Sequence, residues 1–308
     1  MRLNMLCTRH SQTLATPIAV HGNGLHSNNH CTVTLHPAQK ASGIEFYHSP
    51  SGVTIPALAN YVKDCSLATT LAKDGIKLQT VEHLLSALSG LNIDHLTIEL
   101  NSEELPILDG SANPWVQAIQ RAGILQMPFS SKIMQIIKPI EIIGKDKWIR
   151  ITPHPELLID YTINFEHNSI GHQHYSFINT PKNYELNLGA ARTFCMEQDI
   201  KFMHSRGLAK GGSLENAIVF GPNGPLNGSL RFNNEAVRHK TLDLLGDLTL
   251  LGAPVEGFIE AFCAGHAIHV ELVKAILSDV NAWKWREDTA TKATPSDQHD
   301  LSKRAMSA

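Results

Sequence analysis

Cysteine is scarce and follows no scheme. The 308-residue chain has five, at positions 7, 31, 65, 195 and 263. The number is odd, no two lie close together and no CxxC occurs. That fits reduced thiols in a cytoplasmic protein better than a disulfide framework. Long apolar runs are missing too. Nothing reaches the roughly 18 consecutive apolar residues of a membrane-spanning helix, so no stable membrane insertion is expected. The N-terminal MRLNMLCTRHSQTLATPIAV has neither the apolar core nor the small-residue cleavage site of a signal peptide. An excess of one charge is also missing: the formal net charge is -3, which argues against a nucleic-acid partner and leaves only local basic sites for a phosphate.

The chain carries 43% hydrophobic and 18% charged residues, ordinary for a globular protein and enough, at this length, for two cores. Histidine is the unusual component, with 17 copies, and those with acidic neighbours at useful spacing carry the chemical argument.

The first half alternates strand-like runs with turns: CTVTLHP (31–37), GIEFYH (43–48) and HLTIEL (95–100). Helical patterns cover 80–90, with Thr80 as a candidate cap, and 113–122, opened by NPW and stopped near Gly123. PFSS (128–131) breaks the pattern and sets a boundary between a first domain, 1–128, and a second, 132–285. The second half repeats the order. IMQIIKPIEII (133–143), WIRITPH (148–154) and LLIDYTINFEH (157–167) are strand-like, followed by a helix over 235–252, a strand in FIEAFCAG (258–265) and a helix near 267–279. The expected fold is α+β, two similar units in which a small sheet is layered against helices, with the site between them. Residues 196–224 interrupt the second unit as a long glycine-rich loop, a length often tied to function. The polar tail 286–308 is expected to be disordered.

In TVEHLLSAL (80–88) an acid and an imidazole, Glu82 and His83, open a helix aimed at a core. In VRHKTLDLLGDL, His239, Asp243 and Asp247 are four apart. Steps of four turn only about 40° around a helix, so the three share a face. His239 and Asp243 together with His83 make three N/O ligands with room for a fourth, the pattern of catalytic zinc. Each feature alone is more often a solvated helix face; their occurrence at matching places in two similar halves raises the case for a shared site. Glu82 diverges from His83 by about 100° and suits a general base rather than a fourth ligand. Asp247 suits a supporting acceptor for a ligand imidazole or for Lys240. His266 in GHAIH, Thr193 and Phe194 in ARTF, and His26 in GNGLHS are candidates for an acid, a hydroxyl donor, an apolar wall and a ligand contact, each with an ordinary structural alternative.

Together GNGLHS, TVEHLLSALSGLNIDHLTIEL, ELPILDGSA, ARTF, SRGLAKGGS, VRHKTLDLLGDL and AGHA resemble, in order and spacing from about residue 12 to 280, the UDP-3-O-acyl-N-acetylglucosamine deacetylase family of lipid A biosynthesis. The resemblance implies a zinc hydrolase that removes the N-acetyl group from a UDP-sugar carrying a fatty acyl chain. It implies His83, His239 and Asp243 as zinc ligands and Glu82 as base. It further implies that His266 protonates the leaving amine with Asp247 in support, and that Thr193 bonds the oxyanion. Lys240 would meet the diphosphate and Phe165 the nucleotide, while Met196, Ile200 and Leu214 would line an acyl passage. Ferrous iron is an alternative metal, and a non-catalytic nucleotide-sugar or lipid-binding relative is the alternative function. Asn28, Asn164 and Asn168 depart from the family pattern, where a glycine, an acidic residue and a proline are usual.

Overall fold

The computed structural model describes residues 9–286, so the tail beyond Arg286 lies outside the described residues. Strands form where apolar side chains alternate. In Leu157–Asn164, every second side chain is buried down to Ile163, and the others face outward. Two sheets result. The first runs Ile18–Asn23, His30–Pro37, Leu96–Leu100, Ile44–His48, Val53–Pro56. The second runs Ile140–Ile143, Trp148–Thr152, Val255–Phe262, Leu157–Asn164, His172–Ile178, and is extended by Met134–Ile136 and Trp283–Trp285.

The five-strand paths match. In each path the last strand in chain order lies at the centre. It is antiparallel to the second strand and parallel to the third, with the remaining pairs antiparallel. Among the helices, α1 (Glu82–Gly90) precedes the central strand of the first unit and α2 (Asn113–Ala122) follows it. Helix α3 (Pro181–Asn187) and the insert helix α4 (Glu197–Ser205) belong to the second half. There α5 (Glu235–Leu248) precedes the central strand and α6 (His266–Ser278) follows. The internal repeat suggested by the order of patterns is thus present in topology.

α1 and α5 pack against each other where the units meet. Gly246 sets the separation: a Cβ there would lie 2.2 Å from the Glu82 carbonyl oxygen. Alanine at a helical position ordinarily stabilises by about 1 kcal/mol. Gly246→Ala is expected to do the reverse, costing about 1–3 kcal/mol in urea unfolding, because backbone cannot yield as a side chain does. A variant as stable as the parent would show that the two helices separate freely.

Several elements differ from expectation. Helix α1 begins at Glu82, and Thr80 does not cap it. Thr80 sits at φ +60° with its hydroxyl 3.4 Å from Glu104 Oε1. The run 133–143 is two strands, divided at Lys138-Pro139, where proline supplies no ladder N–H. PFSS is not a break. Pro128 to Ser130 end the strand Ile124–Ser130, which pairs with His10–Leu14 in a two-stranded ribbon whose free side tolerates proline. The stretch 196–224 is not a plain loop: it holds α4 and the strands Ile218–Gly221 and Gly224–Pro225. A small sheet of Val62–Asp64, Thr70–Lys73 and Ile76–Leu78 and the strand His172–Ile178 were not anticipated.

Candidate active site and metal centre

His83 enters from the first turn of α1, and His239 and Asp243 from one face of α5; all three are buried. Their ligand-type atoms lie within 4.8 Å of one another. His239 Nε2 is 3.3 Å from Asp243 Oδ1, and His83 Nε2 is 3.8 Å from the same oxygen. His239 Nδ1 lies 3.1 Å from the Ala191 carbonyl, which can only accept, so Nδ1 carries the proton and Nε2 offers its lone pair. Burial, with His239 next to it, pushes the His83 imidazole down to about 3, and burial lowers His239 as well. Asp243 is held ionised. Burial opposes its charge, but the Lys240 ammonium and the His266 imidazolium outweigh it. Asp243 Oδ1 is buried with no hydrogen-bond partner among the described residues. Two neutral imidazoles and an ionised carboxylate with an orphaned oxygen fit a divalent cation of zinc type.

Glu82, 3% exposed, accepts a hydrogen bond from the Thr69 main-chain N–H (3.0 Å). Burial pushes its carboxyl up to about 7, against the pull of His266. Asp247 Oδ2 accepts from His266 Nδ1 (2.8 Å) and from His269 Nδ1 (2.9 Å). Burial works against a charged His266, but the Asp247 and Asp243 carboxylates outweigh it and lift the imidazole to about 9. Asp247 does not reach Lys240, whose ammonium instead donates to Asp243 Oδ2 at 3.0 Å. Nor does it hold a ligand imidazole; it serves His266 and His269.

A cleft of about 450 Å³ joins these groups. Residues of both halves line it, among them His26, Leu67, Glu82, Thr193, Lys240 and His266, with Phe194 as a wall. Lys240 Nζ lies 5.8 Å from the Phe194 ring centroid. His26 is fixed by Glu104, which accepts from the main-chain N–H groups of His26 and Ser27 at 2.7 Å each. The His26 Nδ1 accepts from Ala209 N–H at 3.4 Å, leaving a buried Nε2–H with no partner among the described residues.

Not every candidate reaches the cleft. Phe165 packs edge-on against Phe194, ring centroids 5.6 Å apart, behind the wall. Met196 packs against the core, Ile200 is on α4, which buries none of its residues, and Leu214 is 52% exposed; none of the three lines the cleft. Asn28 adopts φ +61°, a conformation asparagine tolerates better than most residues, which accounts for its standing where glycine is usual. Sequence reasoning missed Thr69, Glu104, Lys147 and His269. His269 had a signal, falling three residues after His266 on the same helix; Thr69 in CSLATT had none.

A family model described as UDP-3-O-acyl N-acetylglycosamine deacetylase matches residues 11–278. A protein of Myxococcus xanthus named UDP-3-O-acyl-N-acetylglucosamine deacetylase is 42% identical over 276 residues, 89% of this chain and 88% of its own. Proteins of the same name from Nautilia profundicola and Histophilus somni are each 41% identical, covering 87% and 89% of this chain and 91% and 92% of theirs. With buried ligand-type side chains and a cleft between two repeated units, and with this likeness along nearly the whole described length, the chain belongs to the UDP-3-O-acyl N-acetylglycosamine deacetylase family.

Proposed function

We propose that this protein hydrolyses the acetamide of UDP-3-O-(3-hydroxyacyl)-N-acetylglucosamine, releasing acetate and the free amine, as a zinc-dependent step of lipid A biosynthesis in the cytoplasm. The observation that carries the reading is a carboxylate and a protonated imidazole, Glu82 and His266, opening on the same cleft as His83, His239 and Asp243. His83, His239 and Asp243 would hold the ion. A zinc ion bound by them supplies Lewis-acid polarisation of the acetyl carbonyl and eases deprotonation of water. Glu82, buried and raised toward neutrality, takes the proton of the attacking water. Thr193 donates to the developing oxyanion. His266, charged and oriented by Asp247, gives its Nε2 proton to the departing nitrogen as the C–N bond breaks. Lys240 and His26 Nε2–H orient the diphosphate-sugar, and Phe165 supports the nucleotide through Phe194. Met196, Ile200 and Leu214 lead the acyl chain away along the insert. The two halves, about 1–128 and 132–285, act as two domains that share one site.

Among the described residues no helix is long and apolar enough to cross a membrane. Acetate release from the UDP-3-O-hydroxyacyl sugar is expected to fall to background with a chelator and to return on zinc addition. Ferrous iron replaces zinc in a parallel arm. Folded, zinc-loaded protein that binds the nucleotide sugar without releasing acetate would mark it as a binding relative.

A further inference from the structure

Thr69 stands outside the residue set above, yet it is the residue that touches both proton-transfer groups. It directly precedes the strand Thr70–Lys73, at the end of a segment, Cys65–Ala68, that lines the cleft. It is fully buried, as is Asp247. Its main-chain N–H donates to Glu82 Oε2 at 3.0 Å. Its hydroxyl oxygen is 2.5 Å from Asp247 Oδ1 and 3.2 Å from His266 Nδ1.

The direction of these bonds follows from elementary accounting. A carboxylate accepts only, so the 2.8 Å contact between His266 Nδ1 and Asp247 Oδ2 places a proton on Nδ1. Nδ1 then cannot accept from Thr69, and the single hydroxyl proton goes to Asp247 Oδ1. Asp247 is held by Thr69 at one oxygen and by His266 and His269 at the other. With the carboxylate so fixed, the imidazole it orients is fixed too. Threonine is suited to the task, because its branched Cβ restricts χ1 and keeps the hydroxyl aimed.

We propose that Thr69 is a positioning residue for both ends of the reaction: its amide orients the Glu82 carboxylate, and its hydroxyl orients Asp247 and through it His266. The proposal rests on the assignment of Glu82 as base and His266 as proton donor given above.

Thr69→Val keeps shape and main-chain N–H and removes only the hydroxyl. It is expected to lower kcat about 10–100-fold, as loss of a supporting hydrogen bond does, with KM and zinc content close to the parent's. Thr69→Ser is expected to stay within about threefold, since it keeps the donor that the neighbouring carboxylate needs. A valine variant with the parent's kcat, a serine variant as impaired as valine, or a loss confined to KM overturns the proposal. If valine prevents folding, Thr69→Cys, of similar size and a far weaker donor, takes its place, and a kcat like serine's counts against the hydroxyl. A second readout does not need turnover. The ring N–H signals of His266 and His269 in the 15N-labelled, zinc-loaded full chain are expected to shift in the valine variant and hold in the serine variant. Unmoved signals overturn the proposal even if kcat falls. Absence of acetate release in the parent would refute the deacetylase reading, while these signals would still decide whether the Thr69 hydroxyl holds the pair.

Discussion

Glu82→Gln is expected to lower kcat by about 10²–10⁴-fold, the usual worth of a general base, while the protein keeps one metal ion per chain. The amide is nearly isosteric, and its oxygen still accepts from Thr69 N–H, so the side chain stays in place. What it loses is the capacity to take a proton. Stability is not expected to fall, because an uncharged side chain suits a site where burial already lifts the carboxyl to about 7. Steady-state kinetics with metal analysis of the same preparation checks this. Activity within about tenfold of the parent would remove Glu82 from the role, and loss of metal would make it a ligand.

His239→Ala has the opposite signature: metal content falls to near zero after dialysis and activity goes with it. His239 is 2% exposed, its Nδ1 proton faces the Ala191 carbonyl and its Nε2 faces Asp243, so alanine leaves the cluster one ligand short. His83→Ala is expected to behave alike. The two classes of variant separate binding from chemistry only if read together, by metal analysis alongside turnover. A His239→Ala protein that retains a full equivalent of metal would exclude that residue from the set. High metal concentration is expected to restore part of the activity if two ligands still converge.

How much of this was legible depended on the range of the contact. His239 and Asp243 were legible because a helical period fixes their shared face, and Glu82 beside His83 because an acid and an imidazole are out of place at the head of an apolar helix. The pairing of the two helices was legible only as an inference from parallel organisation, since no local rule brings residue 83 to residue 243. The topology of the two sheets bears out that organisation. Thr69 could not be found, because its partners are 178 and 197 residues away and its own neighbourhood reads as an ordinary approach to a strand. Thr80 was misassigned for the same reason: Glu104, distant in the local pattern, takes its hydroxyl. PFSS misled because proline and serine punctuate most chains, but a two-stranded ribbon has a free side on which they do no harm.

The contact at Gly246 places the backbone of α5 against that of α1, and the three candidate ligands are divided between these helices. An ion held by all three is therefore a rivet through the seam between the units. It binds only where they are docked, and mass action makes occupancy a source of cohesion: at a thousand times Kd, about 4 kcal/mol. Thermal melting of the whole chain should then rise with free zinc concentration. Stripping the ion would loosen the seam before it disturbs either sheet, so hydrogen exchange in α1 and α5 should respond first.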